Sequence, residues 1–311
     1  VEVAVSSVPP TIYAKLWLSV HDQVALLESR GLQISDRQAA EAFLYHVNYY
    51  RFAGYCLAFE SPRHAFPSGV TFDQIVEAYR FDAVLRDLFT EGLELIEIDL
   101  RTAIAYYLGD KHGAFGHIEP KNFHNKFDHN TNHATWLQKL HEETKRSSEL
   151  FVQHFRRNYV EFPTLPIWAV TEVMSFGGLS RMVRAMHKSD RTVIANQYGI
   201  PQVVLSSVTH HFAYVRNLCA HHCRLWDRVW SVKSDLPKHP DWENTNTVSN
   251  QRVFATLLLM RKLMQRSSHN ATESDRWRDR VTNLLSTPPS VSDASKLLGL
   301  PGNWESHPVW V

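Results

Sequence analysis

The chain has 311 residues, 44% hydrophobic and 21% charged, which excludes a disordered polar chain and leaves room for one large domain or two small ones. Thirty-three Lys and Arg against 32 Asp and Glu give a formal net charge of +1. Overall charge therefore does not mark a nucleic-acid binder, and any basic grip must be a local patch. Three cysteines, Cys56, Cys219 and Cys223, do not make a disulfide framework and fit a reducing cytoplasm, and no apolar run is long enough to predict a membrane span.

The opening VEVAVSSVPPT lacks the basic region and apolar core of a signal peptide. Residues 1–10 read as an N-terminal extension to a single domain over 11–305. Apolar periodicity then predicts helix almost throughout, hence an all-α class. Tyr13 to Ser29 is expected as a first amphipathic helix, stopped by Gly31. Ser35 or Asp36 caps a second, DRQAAEAFLYHVNYYRFAGYCLAF. After the loop SPRHAFPSG, Thr71 and Gln74 have capping-box spacing and open a long helix to about Leu108. Leu85, Leu88, Phe89, Gly92, Ile96, Leu100 and Ala103 fall on one of its faces.

Gly109 to His133 reads as a loop rich in Gly, His and Asn. Helices follow over 134–159 and 166–176, and Gly177 with Gly178 is expected to break the chain before another short helix. Pro201 suits the first turn of a helix running to about Arg228. Two or three final helices end near LGLPGNW.

Within the 201–228 helix, VRNLCAHHCRLW (215–226) concentrates reactive side chains. His210, Tyr214, Asn217, His221, Arg224 and Arg228 step by 4, 3, 4, 3 and 4 and predict a polar stripe. Leu205, Val208, Phe212, Val215, Cys219, His222 and Trp226 predict an apolar stripe beside it, with His222 leaning toward the core. Arg216 lies five residues before His221, close enough for a long side chain to bend toward that face.

Four readings follow. A solvated helix face is the plainest, although Lys and Glu would serve it better than Tyr, Asn, His and Arg. A zinc site could use Cys219, Cys223 and His222 with loop histidines His117, His124, His129 and His133, but no metal-binding spacing is present. A cysteine nucleophile would sit in mid-helix, without help from a helix N-terminus. Phosphodiester cleavage without metal needs an imidazole near neutral pKa and an arginine to hold phosphate, and RNA brings its own 2′-OH nucleophile.

VRNLCAHHCRLWDR resembles the signature of Abi-like proteins, the abortive-infection (AbiD/AbiF type) family of bacterial phage defence. NYYRFAGY (48–55), YRFDAVLRDLF (79–89), IEIDLRTAIAYYL (96–108) and PIWAVTEVMSFGGLS (166–180) match further blocks in order. The resemblance covers about residues 11 to 230.

It implies the HEPN superfamily and a multi-helix HEPN-like bundle with additional helices. It also implies metal-independent RNA cleavage leaving a 2′,3′-cyclic phosphate. Arg216, Asn217 and His221 match the family's Arg, then four to six residues, then His. On that match His221 is the general acid/base and Arg216 stabilises the phosphate and transition state. No cofactor or metal is implied. HEPN sites are built by two domains, and this chain carries one motif, so a homodimer is expected.

His210, Tyr214, Arg224 and Arg228 would contact or support RNA. Glu97 and Arg101 would brace the motif helix, or be an ordinary i,i+4 pair. Some members only bind RNA or are paired with a small non-coding RNA, which keeps a silent RNA-binding module open. Aromatics in NYYRFAGY read as core before base-stacking platform. Arg252, Arg261, Arg266, Arg276, Arg278 and Arg280 could form a basic patch, but Glu273, Asp275 and Asp279 dilute it toward a solvated face.

Overall fold

The structure, a computed structural model, describes residues 12–14, 16–124, 127–239, 242, 248–265 and 271–311. The expected extension over 1–10 and Arg266 lie outside the described residues. The fold is all-α: among the described residues there are thirteen α-helices and three short 3-10 turns, and backbone pairing is limited to isolated bridges. No described helix is long and apolar enough to cross a membrane. One domain is the expectation from sequence; contacts gather the chain into two compact units, Val1–Tyr79 and Arg80–Val311.

In the first unit, α1 is Val20–Ser29, α2 Arg37–His46 and α3 Tyr49–Cys56. The first helix starts later than its apolar pattern predicts, because Ser19 caps it by accepting from the Asp22 amide. Gly31, at φ +93, ends it: its amide bonds the Glu28 carbonyl and the Leu32 amide the Leu27 carbonyl. The expected second helix is two. Asp36 caps α2, and Asn48 caps α3 by accepting from the Tyr50 amide. Phe52 stacks on Phe72 at 4.7 Å, and Phe43 meets both edge-on. The capping box forms reciprocally: Thr71 N–H donates to Gln74 Oε1 at 2.9 Å, and Gln74 N–H to Thr71 Oγ1 at 3.2 Å.

Helix α4 runs Phe72–His112, and every residue of its expected apolar face is buried. Next come α5 (His133–Arg146), α6 (Leu150–Asn158), α7 (Ile167–Val173), α8 (Phe176–Ala185), α9 (Lys188–Gln197) and α10 (Gln202–Ala220). Gly177 and Gly178 do not break the chain. They lie in the first turn of α8, which Ser175 caps, and a Cβ on Gly178 would press on Met174. After α10 come α11 (Val253–Met264), α12 (Ala271–Leu285) and α13 (Ala294–Leu298). The C-terminal arginines do not form an open basic face. Arg261 is buried and donates to Ser274 and Asp275, Arg278 meets Asp275 and Asp279, and Arg280 meets Glu91.

Candidate RNA-cleavage site

Leu205, Val208, Phe212, Val215 and Cys219 turn α10 inward, against α8 and α9. The polar stripe expected alongside is shorter than its spacing predicts. The helix ends at Ala220, with His221 as its C-cap. His222 adopts the left-handed conformation, φ +54. Its amide bonds the Cys219 carbonyl at 2.9 Å and the Cys223 amide the Leu218 carbonyl at 2.8 Å, the same closure that Gly31 makes, here without a glycine.

A distant residue holds the chain past this turn. The Asp82 carboxylate on α4 is fully buried. Its Oδ1 accepts from the Leu225 amide at 2.9 Å and the Trp226 amide at 2.8 Å, and its other oxygen pairs with Arg86. Buried backbone donors need such partners, and a buried carboxylate needs its cation.

Three expectations are corrected by this ending. Arg224 and Arg228 are not on the helix. Arg224 pairs with Asp227 at 3.7 Å, and Arg228 Nε donates to the Arg224 carbonyl at 2.6 Å. His222 does not lean into the core: it is exposed, as is His221. Cys219 and Cys223 do not share a helical face, since the first is buried inside α10 and the second lies beyond its end. Burial pushes the Cys219 thiol up to about 12, so it is protonated at neutral pH and no nucleophile.

At the exposed end of α10, Glu97 on α4 gathers two arginines. Its Oε1 accepts from Arg101 Nη2 at 2.6 Å, and its Oε2 lies 3.7 Å from Arg216 Nε. The same Arg101 nitrogen donates to the Met174 carbonyl at 2.9 Å, where α7 ends. Arg216, about one-third exposed at 37%, also donates from Nη1 to Asn217 Oδ1 at 3.3 Å. Thus Glu97 pairs with an arginine that stays partly exposed, five residues before His221. Asn217 serves Arg216; among the described residues no hydrogen bond joins its side chain to the His221 ring.

The other expected residues divide. His210 is at the surface, and partial desolvation with the Arg184 charge lowers its pKa against the opposing pull of Asp128. Tyr214 points to the 230–231 segment, its hydroxyl 3.2 Å from Ser231 Oγ and its ring edge-on to Trp230. Two loop histidines are buried: His133 Nε2 donates to the His117 carbonyl at 2.9 Å, and burial lowers His117 to about 4. Among the described residues, no three His, Cys, Asp or Glu side chains are grouped to hold a metal ion.

Two features carry no flag in sequence reasoning. His211 is buried, with Nδ1 2.7 Å from the Val232 carbonyl and Nε2 2.8 Å from Thr256 Oγ1. Burial lowers its pKa to about 4, so the neutral ring donates to the carbonyl and accepts from the hydroxyl, tying α10 to the 232 segment and α11. Asp82 and Arg86 sit at i,i+4 on the apolar face of α4, and that misplaced charge is the signal that could have found them.

The family model described as Abi-like protein matches residues 42–227, a stretch that holds Asp82, Glu97, Arg101 and the 215–227 segment. No curated protein and no solved structure matches the chain.

Proposed function

This chain belongs to the Abi-like protein family, and we propose that it serves phage defence by abortive infection, as an endoribonuclease acting without metal at Arg216, Asn217 and His221. The observation that carries this reading is the Glu97 fork, which pairs with a partly exposed Arg216 on the same helix whose end leaves His221 exposed. His221 takes the proton of a ribose 2′-OH. The 2′-oxygen bonds to the adjacent phosphorus, the bond to the 5′-oxygen breaks, and the leaving oxygen takes up a proton. A 2′,3′-cyclic phosphate and a 5′-OH remain. Arg216 holds the non-bridging oxygens as charge builds on them.

Base and acid stand on opposite sides of the phosphorus, and each chain supplies one motif. Two copies therefore meet about a two-fold axis, each giving one His221. A second reading, a silent module that binds RNA or a small regulatory RNA, is favoured by one observation: among the described residues no hydrogen bond orients the His221 ring.

The test is incubation of the purified chain with RNA in excess EDTA. Fragments ending in 2′,3′-cyclic phosphate, lost in Arg216→Ala, are expected. RNA retained without cleavage would transfer the function to the second reading. A monomer by light scattering with full activity would remove the two-copy site.

A further inference from the structure

The first unit carries a cleft outside the motif. It encloses about 920 Å³ and is lined by Tyr13, Trp17, Tyr49 and Tyr50 with Arg30 and Arg63. Its size lies within the roughly 300–1,000 Å³ of ligand sites. The segment NYYRFAGY, whose aromatics read as core, divides in the structure: Phe52 and Tyr55 are buried, whereas Tyr50 is 72% exposed. Tyr13 matches it at 72% and Trp17 reaches 85%. Three large rings held in solvent around one cleft are unusual for a surface that meets only water.

The charge around the rings is positive. Glu60 also lines the cleft, but its side chain is buried and matched by Arg63 and by the His64 amide. Arg30 has no carboxylate within ion-pair distance among the described residues, and its Nη1 donates to the Tyr49 hydroxyl at 3.1 Å. The Tyr13 and Tyr50 hydroxyls meet at 3.4 Å across the cleft. Flat π faces interleaved with cations suit unpaired nucleotides, whose bases stack on rings and whose phosphates meet guanidinium groups. A protein partner would explain the rings but not the uncompensated charge.

We propose that this cleft binds a single-stranded stretch of RNA, with bases stacked on Tyr13, Trp17 and Tyr50 and phosphate held by Arg30. The inference rests on RNA being the ligand of this chain, but not on its cleavage. The site is separate in sequence from Arg216 and His221, and so gives the chain a means of choosing RNA by its unpaired segments.

The test uses the full chain and a labelled 2′-O-methyl strand of roughly eight nucleotides, which lacks the 2′-OH and cannot be cut. Fluorescence anisotropy reads binding directly, so failure of the nuclease reading leaves the result interpretable. Trp17→Ala and Tyr50→Ala are each expected to weaken binding about tenfold, the scale of one base–ring stack. Trp17→Phe is expected to stay near the parent, and a blunt duplex to bind more weakly than the single strand. Thermal melts confirm folding, which the exposure of both rings favours. Parent affinity in folded Ala variants would overturn the proposal. So would a loss of self-association in those variants with strand binding unchanged, which would make the cleft a protein interface.

Discussion

Helix α4 carries two carboxylate–arginine pairs at the same i,i+4 spacing, and they do different work. Asp82–Arg86 is buried, and its free oxygen is spent on two backbone amides of the segment after α10. Glu97–Arg101 lies nearer the surface, and its free oxygen reaches Arg216. The first pair leaves nothing for a ligand. The second holds an arginine that stays partly exposed. Two histidines ten residues apart on the motif segment repeat the contrast. Both ring nitrogens of His211 are engaged in the core, whereas His221 is exposed at a helix end. Identical residue types become scaffold or site according to whether the fold satisfies them, and only unspent hydrogen-bonding capacity can act on a substrate.

The sharpest way to break the contrast is Asp82→Ala. It removes a buried partner from Arg86 and from two amides, and is expected to destabilise the protein by about 3–5 kcal/mol. Denaturant unfolding measures this, and a loss within 1 kcal/mol, about the worth of one surface pair, would show that Asp82 does not hold the turn.

Acid should act next most strongly, through His211. Its folded pKa is about 4 against the usual 6.5, so the unfolded chain binds the proton more readily. Stability is fully present above the unfolded pKa and falls as pH drops toward 4, by about 3 kcal/mol for this group. His117 is lowered in the same direction, so the comparison must be made against His211→Gln. That variant is expected to lose less stability than the parent between neutral pH and pH 4; equal losses would mean that His211 is not buried neutral.

Glu97→Gln should separate scaffold from site. It keeps the shape and is expected to cost less stability than Asp82→Ala, because the amide can still accept from Arg101. Cleavage is expected to fall by about tenfold, since Arg216 loses the charge that pairs with it, worth one to two kcal/mol. A Glu97→Gln protein cutting RNA like the parent would detach Glu97 from the site. The smallest effect is expected from His222→Gly. It relieves a left-handed side chain and should raise stability by up to about 1 kcal/mol, read as a higher melting temperature. A lower one would show that the His222 side chain stabilises the turn by more than its strain.

The legible parts of this molecule are those set by local pattern. The apolar face of α4, the Thr71–Gln74 capping box and the Leu205–Cys219 stripe of α10 follow from spacing and match the structure. The all-α class follows from the same periodicity. The end of α10 is not legible. No glycine or proline stands near His221, and what holds the chain there is Asp82, more than a hundred residues away. Helical spacing alone therefore carries the polar stripe on through Arg224 and Arg228 and turns His222 inward. The start of α1 fails for the converse reason: the apolar pattern of residues 13–19 continues, but Ser19 caps the helix after it. Residues that carry the family resemblance, Arg216, Asn217 and His221, could be named from sequence. That Glu97 holds Arg216 as well as Arg101 required the pairing of two helices.

The central claim, that unspent His221 rather than its neighbour is the proton carrier, is tested most directly by metal-free RNA cleavage with His221→Ala and His222→Ala, each with a thermal melt. His221→Ala is expected to be folded and to lose cleavage by at least the roughly hundredfold worth of a general acid/base, while His222→Ala retains it. Cleavage at the parent rate by a folded His221→Ala protein would contradict the claim.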